Sequence, residues 1–157
     1  MVVVRSHENR RATMLFTDAE FEYLNTQLLG RLATVQSNGT LQVSPVSYRY
    51  NEQTGTIDIR GLYMSRSQKF KNVAANGRVA FVVDDLPSIQ PWRVRCLEIR
   101  GRGEALTAPT DSAFEPDSNV DGAIIRIHPE KIIGFGIDDP DRDPHELEPN
   151  IRKVPAV

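Results

Sequence analysis

Five cations and no acid lie between Ile59 and Val83, in a chain whose formal net charge is −2. The cations are Arg60, Arg66, Lys69, Lys71 and Arg78. A turn and the start of a predicted helix lie in the middle of this segment, and the free N–H groups of a helix N-terminus attract anions. The hydroxyls of Ser65 and Ser67 are placed either to cap that helix or to donate to a phosphate. The segment therefore carries the groups that a phosphate site needs.

The positions of two of these cations favour a bound anion. Arg66 and Lys69 are three residues apart, so they share a face at the start of the helix. Cations in a first helical turn oppose the helix dipole, at a cost of about 0.3–1 kcal/mol each at exposed sites. An anion among them would offset that cost. A basic surface that only faces solvent is the alternative, and the residue types alone leave both interpretations open.

A second segment of interest is Val43-Ser-Pro-Val-Ser47, inside the strand predicted over Thr40–Tyr50. The apolar residues occupy odd positions up to Val43 and even positions from Val46 onward. This change of parity predicts a β-bulge at Ser44-Pro45, and Pro45 fits there because it cannot donate a ladder hydrogen bond. Bulges bend strands and often lie beside ligand sites. The segment therefore indicates either barrel curvature or a ligand site.

Several other chemistries lack the residues that they need. His7, His128 and His145 have no metal-ligand spacing, and a single cysteine, Cys96, rules out an internal disulfide. Gly101-Arg-Gly103 lacks the third glycine of a dinucleotide fingerprint and lies in a predicted strand. The mild net acidity argues against a nucleic-acid-binding protein. We therefore expect neither a metal site nor a nucleic-acid partner.

The elements that position these segments are mainly strands. A helix is predicted over Thr17–Leu29, because Thr17 and Glu20 form a capping box and Gly30 is a typical stop. A second helix is predicted over Ser65–Asn76. The predicted strands are Arg31–Ser37, Thr40–Tyr50, Thr56–Arg60, Arg78–Asp84, Val94–Leu106, Gly122–His128 and Lys131–Ile137.

Short turns join these strands, including a tight hairpin at Asn38-Gly39 and a turn at Pro129. Loops are predicted over Asp85–Trp92 and Thr107–Asp121. Strands that are hairpin-connected in sequence favour a closed or nearly closed antiparallel barrel with helices outside. We predict a mainly β, single-domain chain over residues 1–157, with a helix at about 17–29, a barrel at about 31–137 and an extended tail at 138–157.

The N-terminus carries an apolar run of only three residues after Met1, which is too short for the core of a signal peptide. No stretch approaches the ~20 apolar residues of a membrane span. These features predict a cytoplasmic protein without a membrane partner.

Several short motifs occur together in a particular order. They are Gly30-Arg-Leu-Ala-Thr-Val35, Val43-Ser-Pro-Val46, Ser67-Gln-Lys69, Asn76-Gly-Arg-Val-Ala-Phe81, Pro91-Trp92 and Ile125-Arg-Ile-His-Pro129. Over roughly Leu15–Val154, their order and spacing resemble the pyridoxamine 5'-phosphate oxidase-like split-barrel flavoproteins, and within these the actinobacterial branch that uses the deazaflavin coenzyme F420. The resemblance implies a six-stranded split barrel with flanking helices, and a homodimer with the cofactor in a groove between subunits.

The resemblance also implies the residues of a cofactor site. The ring would lie along Val43, Ser44, Pro45, Val46 and Ser47, and the phosphate would be held by Arg60, Ser65, Arg66, Ser67 and Lys69. Further candidate cofactor-binding residues are Phe70, Trp92, Arg95 and Arg152. Packing is the alternative role of Trp92, and pairing with Asp84 and Asp85 is the alternative role of Arg95. The implied reaction is hydride transfer from the reduced deazaflavin to an activated C=C, C=N or C=O bond of an organic substrate. The proton would come from solvent or from one of the candidate donors Tyr48, Tyr63 and Arg95.

The chain departs from the vitamin B6 oxidase itself at three places. Ser44 stands where those FMN enzymes carry Arg, and Cys96 where they carry a Gln that contacts the flavin. Of their C-terminal Trp and Arg pair, only Arg152 remains. We therefore do not expect oxidation of pyridoxamine phosphate. FMN is the alternative cofactor, and a non-catalytic protein that binds a flavin, deazaflavin or haem-type ligand is the alternative to an enzyme.

Overall fold

The computed structural model describes residues 15–156, so the predictions for residues 1–14, including the N-terminal apolar run and His7, lie outside it. Within this range there are two α-helices, α1 (Asp18–Thr26) and α2 (Gln68–Asn76), and two 3₁₀ turns at Met64–Arg66 and Pro144–Glu146. The strands of the described chain are β1 (Leu29–Val35), β2 (Leu41–Asn51), β3 (Thr56–Arg60), β4 (Arg78–Ser88), β5 (Arg93–Leu106), β6 (Ile124–Phe135) and β7 (Asn150–Lys153).

Six of these strands close into an antiparallel barrel in the order β3-β2-β1-β4-β5-β6. The ring closes because β3 pairs with β6, from Ile57 opposite Ile127 to Arg60 opposite Ile124. The second half of β6 pairs with β7 instead, which lies outside the ring. The prediction of a mainly β, six-stranded antiparallel split barrel with flanking helices is confirmed.

Aliphatic side chains of the strands fill the barrel, and both helices add to the same core. Fully buried members of the core are Leu32, Ile57, Ile59, Phe81, Val83, Leu97, Ile99, Ile125 and Ile127. Burying one such side chain stabilises the fold by about 1.5–3 kcal/mol. At the start of α1, the rings of Phe16 and Phe21 both meet Tyr50 edge-on, with centroids 5.7 and 5.6 Å away.

No helix among residues 15–156 is long and apolar enough to cross a membrane.

Helix α1 begins as predicted and ends earlier. The capping box forms, with the Glu20 N–H donating to Thr17 Oγ1 (3.1 Å) and the Thr17 N–H donating to Glu20 Oε2 (3.2 Å). The helix stops at Thr26, so the predicted end at Leu29 is wrong, and Gly30 is not its stop. Gly30 lies inside β1, where an added Cβ would be 2.3 Å from ring atoms of Phe81. Glycine is therefore required at position 30 because a side chain would collide with the Phe81 ring, and not because a helix ends there.

Strand β2 has no bulge at Ser44-Pro45, so that prediction is wrong. Its register with β1 runs without a shift from Ser47, opposite Leu29, to Leu41, opposite Val35. Leu41 and Val43 lie on the outer face, where they are 79% and 70% exposed. The parity argument failed because it assumed that both apolar side chains are buried.

Strand β6 is continuous, so the turn predicted at Pro129 is wrong as well. Gly101 of β5 lies opposite Pro129, while the preceding residue of β5 lies opposite Lys131, which leaves Glu130 as the extra residue of a bulge. An added Cβ at Gly101 would be 2.1 Å from the carbonyl oxygen of His128. The bulge is therefore possible because β5 has a glycine at this position.

Candidate cofactor site

Helix α2 starts immediately after a 3₁₀ turn, and Ser67 is its N-cap. Ser67 Oγ accepts a hydrogen bond from the Phe70 N–H (3.3 Å) and donates one to the Met64 carbonyl (2.7 Å). Of the two serines that could cap this helix, the structure thus selects Ser67. The N–H groups of Gln68 and Lys69, in the first turn, have no acceptor inside the helix. They remain available to an anion.

Two cations flank this helix start. The Arg66 guanidinium lies 5.4 Å from the ring centre of Tyr63, which is 67% exposed, and Lys69 is half-buried in the first turn. Within residues 15–156, neither cation forms an ion pair with a carboxylate. Unpaired cations at a helix start are unfavourable on their own. The arrangement fits a bound phosphate.

Ser65 is already bound to an acid from a distant part of the chain. Asp121 Oδ2 accepts hydrogen bonds from the Ser65 N–H (2.9 Å) and from Ser65 Oγ (2.5 Å). Desolvation acts to raise the pKa of Asp121, but hydrogen bonds from Ser65, Ala123 and Met64 hold that pKa below its usual value. A phosphate at Ser65 would therefore have to displace Asp121, a carboxylate that the sequence analysis did not connect with this segment.

Of the five residues predicted to bind the ring, residues 43–46 lie where β3 does not pair with β2, whereas Ser47 is paired with Arg60, and the Val46 side chain is buried in the core. Strand β3 pairs with β2 only from Ser47 onward, so no strand among residues 15–156 pairs with residues 41–46 on that side. Val43, Pro45 and Ser47 are exposed on the outer face. Ser44 is half-buried, and its Oγ has no hydrogen-bond partner among the described residues. An apolar strip beside an open edge and an unsatisfied hydroxyl fits a planar heterocycle.

Arg60 is paired with Ser47 across β2 and β3, and Ser47 Oγ donates to the Arg60 carbonyl (3.3 Å). The Arg60 side chain contacts the loop of residues 107–122. Its guanidinium carbon lies 4.6 Å from the ring centre of Phe114, and Nη1 donates to the Glu115 carbonyl (3.3 Å). Among the described residues, its contacts are thus with this loop and not with the start of α2.

Four other residues implied by the resemblance have separate surroundings. Arg95 binds Asp85 through two hydrogen bonds of 2.9 and 2.6 Å, and these hold the pKa of Asp85 below its usual value despite partial burial. Trp92 is 63% exposed at the end of the β4–β5 hairpin. Phe70 packs in the core, and Arg152 binds Glu20 in α1. Phe70 directly follows Lys69 in α2. Within residues 15–156, no hydrogen bond or ion pair joins the other three to Arg66 or Lys69.

The three candidate proton donors differ in access. The Tyr48 hydroxyl is inside the core, where it donates to the Leu24 carbonyl (2.6 Å), and burial raises its pKa. Arg95 is held by Asp85. Tyr63 is exposed beside Arg66, and it is the only one of the three that lies in the basic segment. No group of three or more His, Cys, Asp or Glu in the described chain is arranged to hold a metal ion.

Comparisons with known proteins agree with this fold. A 5a,11a-dehydrotetracycline/5a,11a-dehydrooxytetracycline reductase from Streptomyces rimosus is 47% identical over 125 residues, which cover 80% of this chain and 86% of that protein. Among solved structures, an F420 reductase has a TM-score of 0.52 at 28% identity, over 69% of this chain and 90% of that one. An FAD-binding protein from Mycobacterium smegmatis has a TM-score of 0.56 at 19% identity, over 76% of this chain and 93% of that one. At this identity the match shows likeness of fold alone.

The family model described as pyridoxamine 5'-phosphate oxidase matches residues 16–135, which include the whole six-stranded ring and both helices. Together with the 47% identity to the Streptomyces reductase, this match establishes the family. The chain belongs to the pyridoxamine 5'-phosphate oxidase family.

Proposed function

We propose that this protein is an F420-dependent reductase that transfers a hydride to an activated double bond of an organic substrate. The observation that carries the proposal is the unpaired basic start of α2 on a barrel of this family, together with the open apolar edge of β2. The identity to a dehydrotetracycline reductase supports a reductase of this fold. The likeness to an F420 reductase supports the deazaflavin as cofactor.

The residues present suggest how the cofactor would be held. Arg66, Ser67 and Lys69 would bind its phosphate, and the outer face of β2 at Val43 and Pro45 would carry its ring. When bound, the reduced deazaflavin supplies a hydride, so the substrate gains that hydride and one proton while the cofactor loses two electrons. The chain itself contributes binding, orientation and electrostatics. Tyr63 is the proposed proton donor, because it is exposed beside the phosphate-binding residues.

A homodimer is part of the proposal. Leu41 and Val43 expose a large fraction of their apolar surface on neighbouring outward positions of β2. An exposed apolar strip beside an open strand edge is unusual in a monomer. A second copy of the chain would cover this strip and form one wall of the cofactor groove. The single-domain extent over 1–157 and the cytoplasmic location remain predictions from the sequence.

The substrate class is proposed from the relative. An acceptor with fused rings and a polarised C=C bond, such as 5a,11a-dehydrotetracycline, is the first compound to test. Oxidation of pyridoxamine phosphate is not expected, because Ser44 and Cys96 replace residues that the FMN enzymes use.

The decisive experiment is a parallel fluorescence titration of the cofactor-free protein with coenzyme F420 and with FMN. We expect submicromolar binding of the deazaflavin and much weaker binding of FMN. Protein loaded with reduced F420 should then reduce the dehydrotetracycline. Tight binding of FMN alone would replace the proposal with an FMN-dependent oxidoreductase. Binding of F420 with no turnover of any acceptor would favour a carrier protein.

A further inference from the structure

We propose that the cavity beneath the loop of residues 107–122 binds the acidic group of a planar organic acceptor, with Arg60 as its cationic partner. The inference rests on the proposed function, since it names a substrate class for the reductase. It also gives Arg60 a role different from the phosphate contact that the family resemblance implies. The cavity has a volume of ≈ 500 Å³, within the range of about 300–1,000 Å³ that is usual for small-molecule sites.

A buried ion pair fixes the first end of the loop. Asp58 of β3 is fully buried, and Arg126 of β6, only 5% exposed, donates to both of its carboxylate oxygens at 2.9 and 3.2 Å. The same guanidinium reaches Asp111 in the loop, with Nη1 3.1 Å from Oδ2. Asp58 Oδ2 also accepts a hydrogen bond from the Ala113 N–H (2.9 Å). The loop is therefore tied to two strands of the barrel.

Asp121 fixes the other end of the loop. Its Oδ2 holds Ser65 through the two hydrogen bonds described above, and its Oδ1 accepts one from the Ala123 N–H (3.2 Å). A loop that is fastened at both ends keeps the cavity beneath it formed before a ligand arrives. Little conformational freedom then has to be lost on binding, which favours affinity.

The lining of the cavity combines apolar and polar residues, and Arg60 is the one cation among its described residues. Its members include Pro109, Phe114, Pro116, Val120 and Ala123. Glu115 and Asp117 line it too, but both are exposed, and the Asp117 carboxylate already accepts from Asn119 at 2.9 and 3.0 Å. Arg60 is therefore the group of this lining that can attract an anion, and apolar side chains lie around it.

The Phe114 ring orients the Arg60 guanidinium, whose carbon lies 4.6 Å from the ring centre. The guanidinium carbon of Arg49 lies 5.6 Å from the same ring centre. No carboxylate of the described chain pairs with Arg60, and only one of its N–H groups is used, by the Glu115 carbonyl. A guanidinium has five N–H donors and recognises acidic oxygens through two of them at once. A flat, apolar molecule with a carboxylate or an ionised enol matches both the donors and the lining.

The cavity also lies beside the strand proposed for the cofactor ring. Arg60 and Ser47 are direct register partners, and Ser47 is the last residue of the ring-binding segment. An acceptor anchored at Arg60 would extend from the cavity toward the outer face of β2. This position is suitable for a molecule that must meet the cofactor.

The test is a calorimetric titration with 5a,11a-dehydrooxytetracycline, a fused-ring compound with acidic enol groups, on protein with and without saturating F420. Arg60→Gln is compared with Arg49→Gln, which removes the same charge from the same aromatic ring but does not line the cavity. We expect Arg60→Gln to weaken binding of the acceptor by roughly tenfold to hundredfold, the scale of a charge-assisted pair. Affinity for F420 should change less than twofold in both variants, and Arg49→Gln should bind the acceptor like the wild type.

The outcomes separate this inference from the proposed function. A loss of F420 affinity in Arg60→Gln, with acceptor binding unchanged, would return Arg60 to the cofactor phosphate and overturn the inference while the reductase stands. Equal losses of acceptor binding in both variants would overturn it as well, since they would show a general charge effect. Arg60-dependent binding of the acceptor to a protein that does not bind F420 would sustain the cavity assignment and remove the proposed cofactor.

Discussion

Arg152 of β7 holds the fully buried carboxylate of Glu20 in α1, with Nη1 3.1 Å from Oε1 and Nη2 bonded to Oε2. The same guanidinium donates to the Leu15 carbonyl (2.9 Å from Nη2). An added Cβ at Gly134 of β6 would be 2.4 Å from Glu20 Oε1, so the strand beneath is packed directly against this pair. The pair connects α1 with β7, beside β6.

We therefore expect Arg152→Met to lower the free energy of unfolding by about 3 kcal/mol, because it leaves the Glu20 charge buried without its partner. Urea denaturation would measure the loss, and Lys153→Met, at an exposed neighbouring position, is the matched control. Affinity of the folded variant for F420 should stay within twofold of the wild type. Reduced cofactor affinity at unchanged stability would instead support the cofactor-binding role that the resemblance implies for Arg152.

The phosphate assignment predicts that Arg66→Ala and Lys69→Ala each weaken cofactor affinity by about 1.5–3 kcal/mol, since each removes a charge-assisted hydrogen bond. Lys71→Ala removes the same charge from an exposed position of α2 and should have little effect. Fluorescence titration with F420 measures all three. Unchanged affinity in the Arg66→Ala/Lys69→Ala double variant would rule out this site for the phosphate.

The contact between Gly30 and Phe81 predicts a steric effect. Gly30→Ala would push a methyl group into the Phe81 ring, and overpacking of this kind costs about 1–3 kcal/mol. Gly61→Ala is the control, because its Cβ would meet only Met64 Cε at 3.7 Å and its effect should be within about 0.5 kcal/mol. Thermal unfolding of both variants checks the prediction. Equal stabilities would show that Phe81 moves aside without loss.

The Asp85–Arg95 pair predicts a pH dependence of stability. The folded-state pKa of Asp85 is below its ordinary value of 3.8, chiefly because of the hydrogen bonds from Arg95. A lowered pKa stabilises the fold above the unfolded-state value, and this contribution is lost as the pH falls through the folded-state pKa. The difference in unfolding free energy between wild type and Asp85→Asn should thus be constant from about pH 7 to 5 and shrink below about pH 4. A difference that grew as the pH fell below about 4 would contradict this.

The proposed homodimer predicts that Leu41→Asp produces monomers, because a charge at this exposed apolar position would have to be buried in the interface. Light scattering after gel filtration measures the mass. Gln53→Asp, on the exposed β2–β3 turn, adds the same charge elsewhere and should leave the mass unchanged. A wild-type protein that is already monomeric and fully active would refute the shared-groove proposal.

Element boundaries that a neighbouring glycine determines could be predicted from the sequence. Strand β3 has the predicted bounds, Thr56–Arg60, because a glycine turn at Gly55 with φ of 69° precedes it. Helix α2 ends at Asn76 as predicted, since Gly77 takes the left-handed conformation and its N–H donates to the Val73 carbonyl. Local sequence contains the information for these ends. The parity of β2 was read wrongly because Leu41 and Val43 are apolar and yet exposed.

The cations of the candidate site were identified from the sequence, but their neighbours were not. Asp121 and Phe114 come from a loop that the sequence shows only as polar and irregular, yet one binds Ser65 and the other orients Arg60. The buried pair of Asp58 and Arg126, which joins β3 to β6, was missed too. Pairings between distant parts of the chain leave no periodic pattern, so they appear only when the barrel is assembled.

The closure of the ring between β3 and β6 has a kinetic consequence. Ile57 and Ile127 must find each other across most of the barrel sequence, while the pairings of β1 with β2 and of β4 with β5 are local. Folding slows as the sequence separation of contacts rises, because loop entropy is lost before distant contacts compensate for it. The local hairpins should therefore form early, and the β3–β6 pairing that closes the ring should form late.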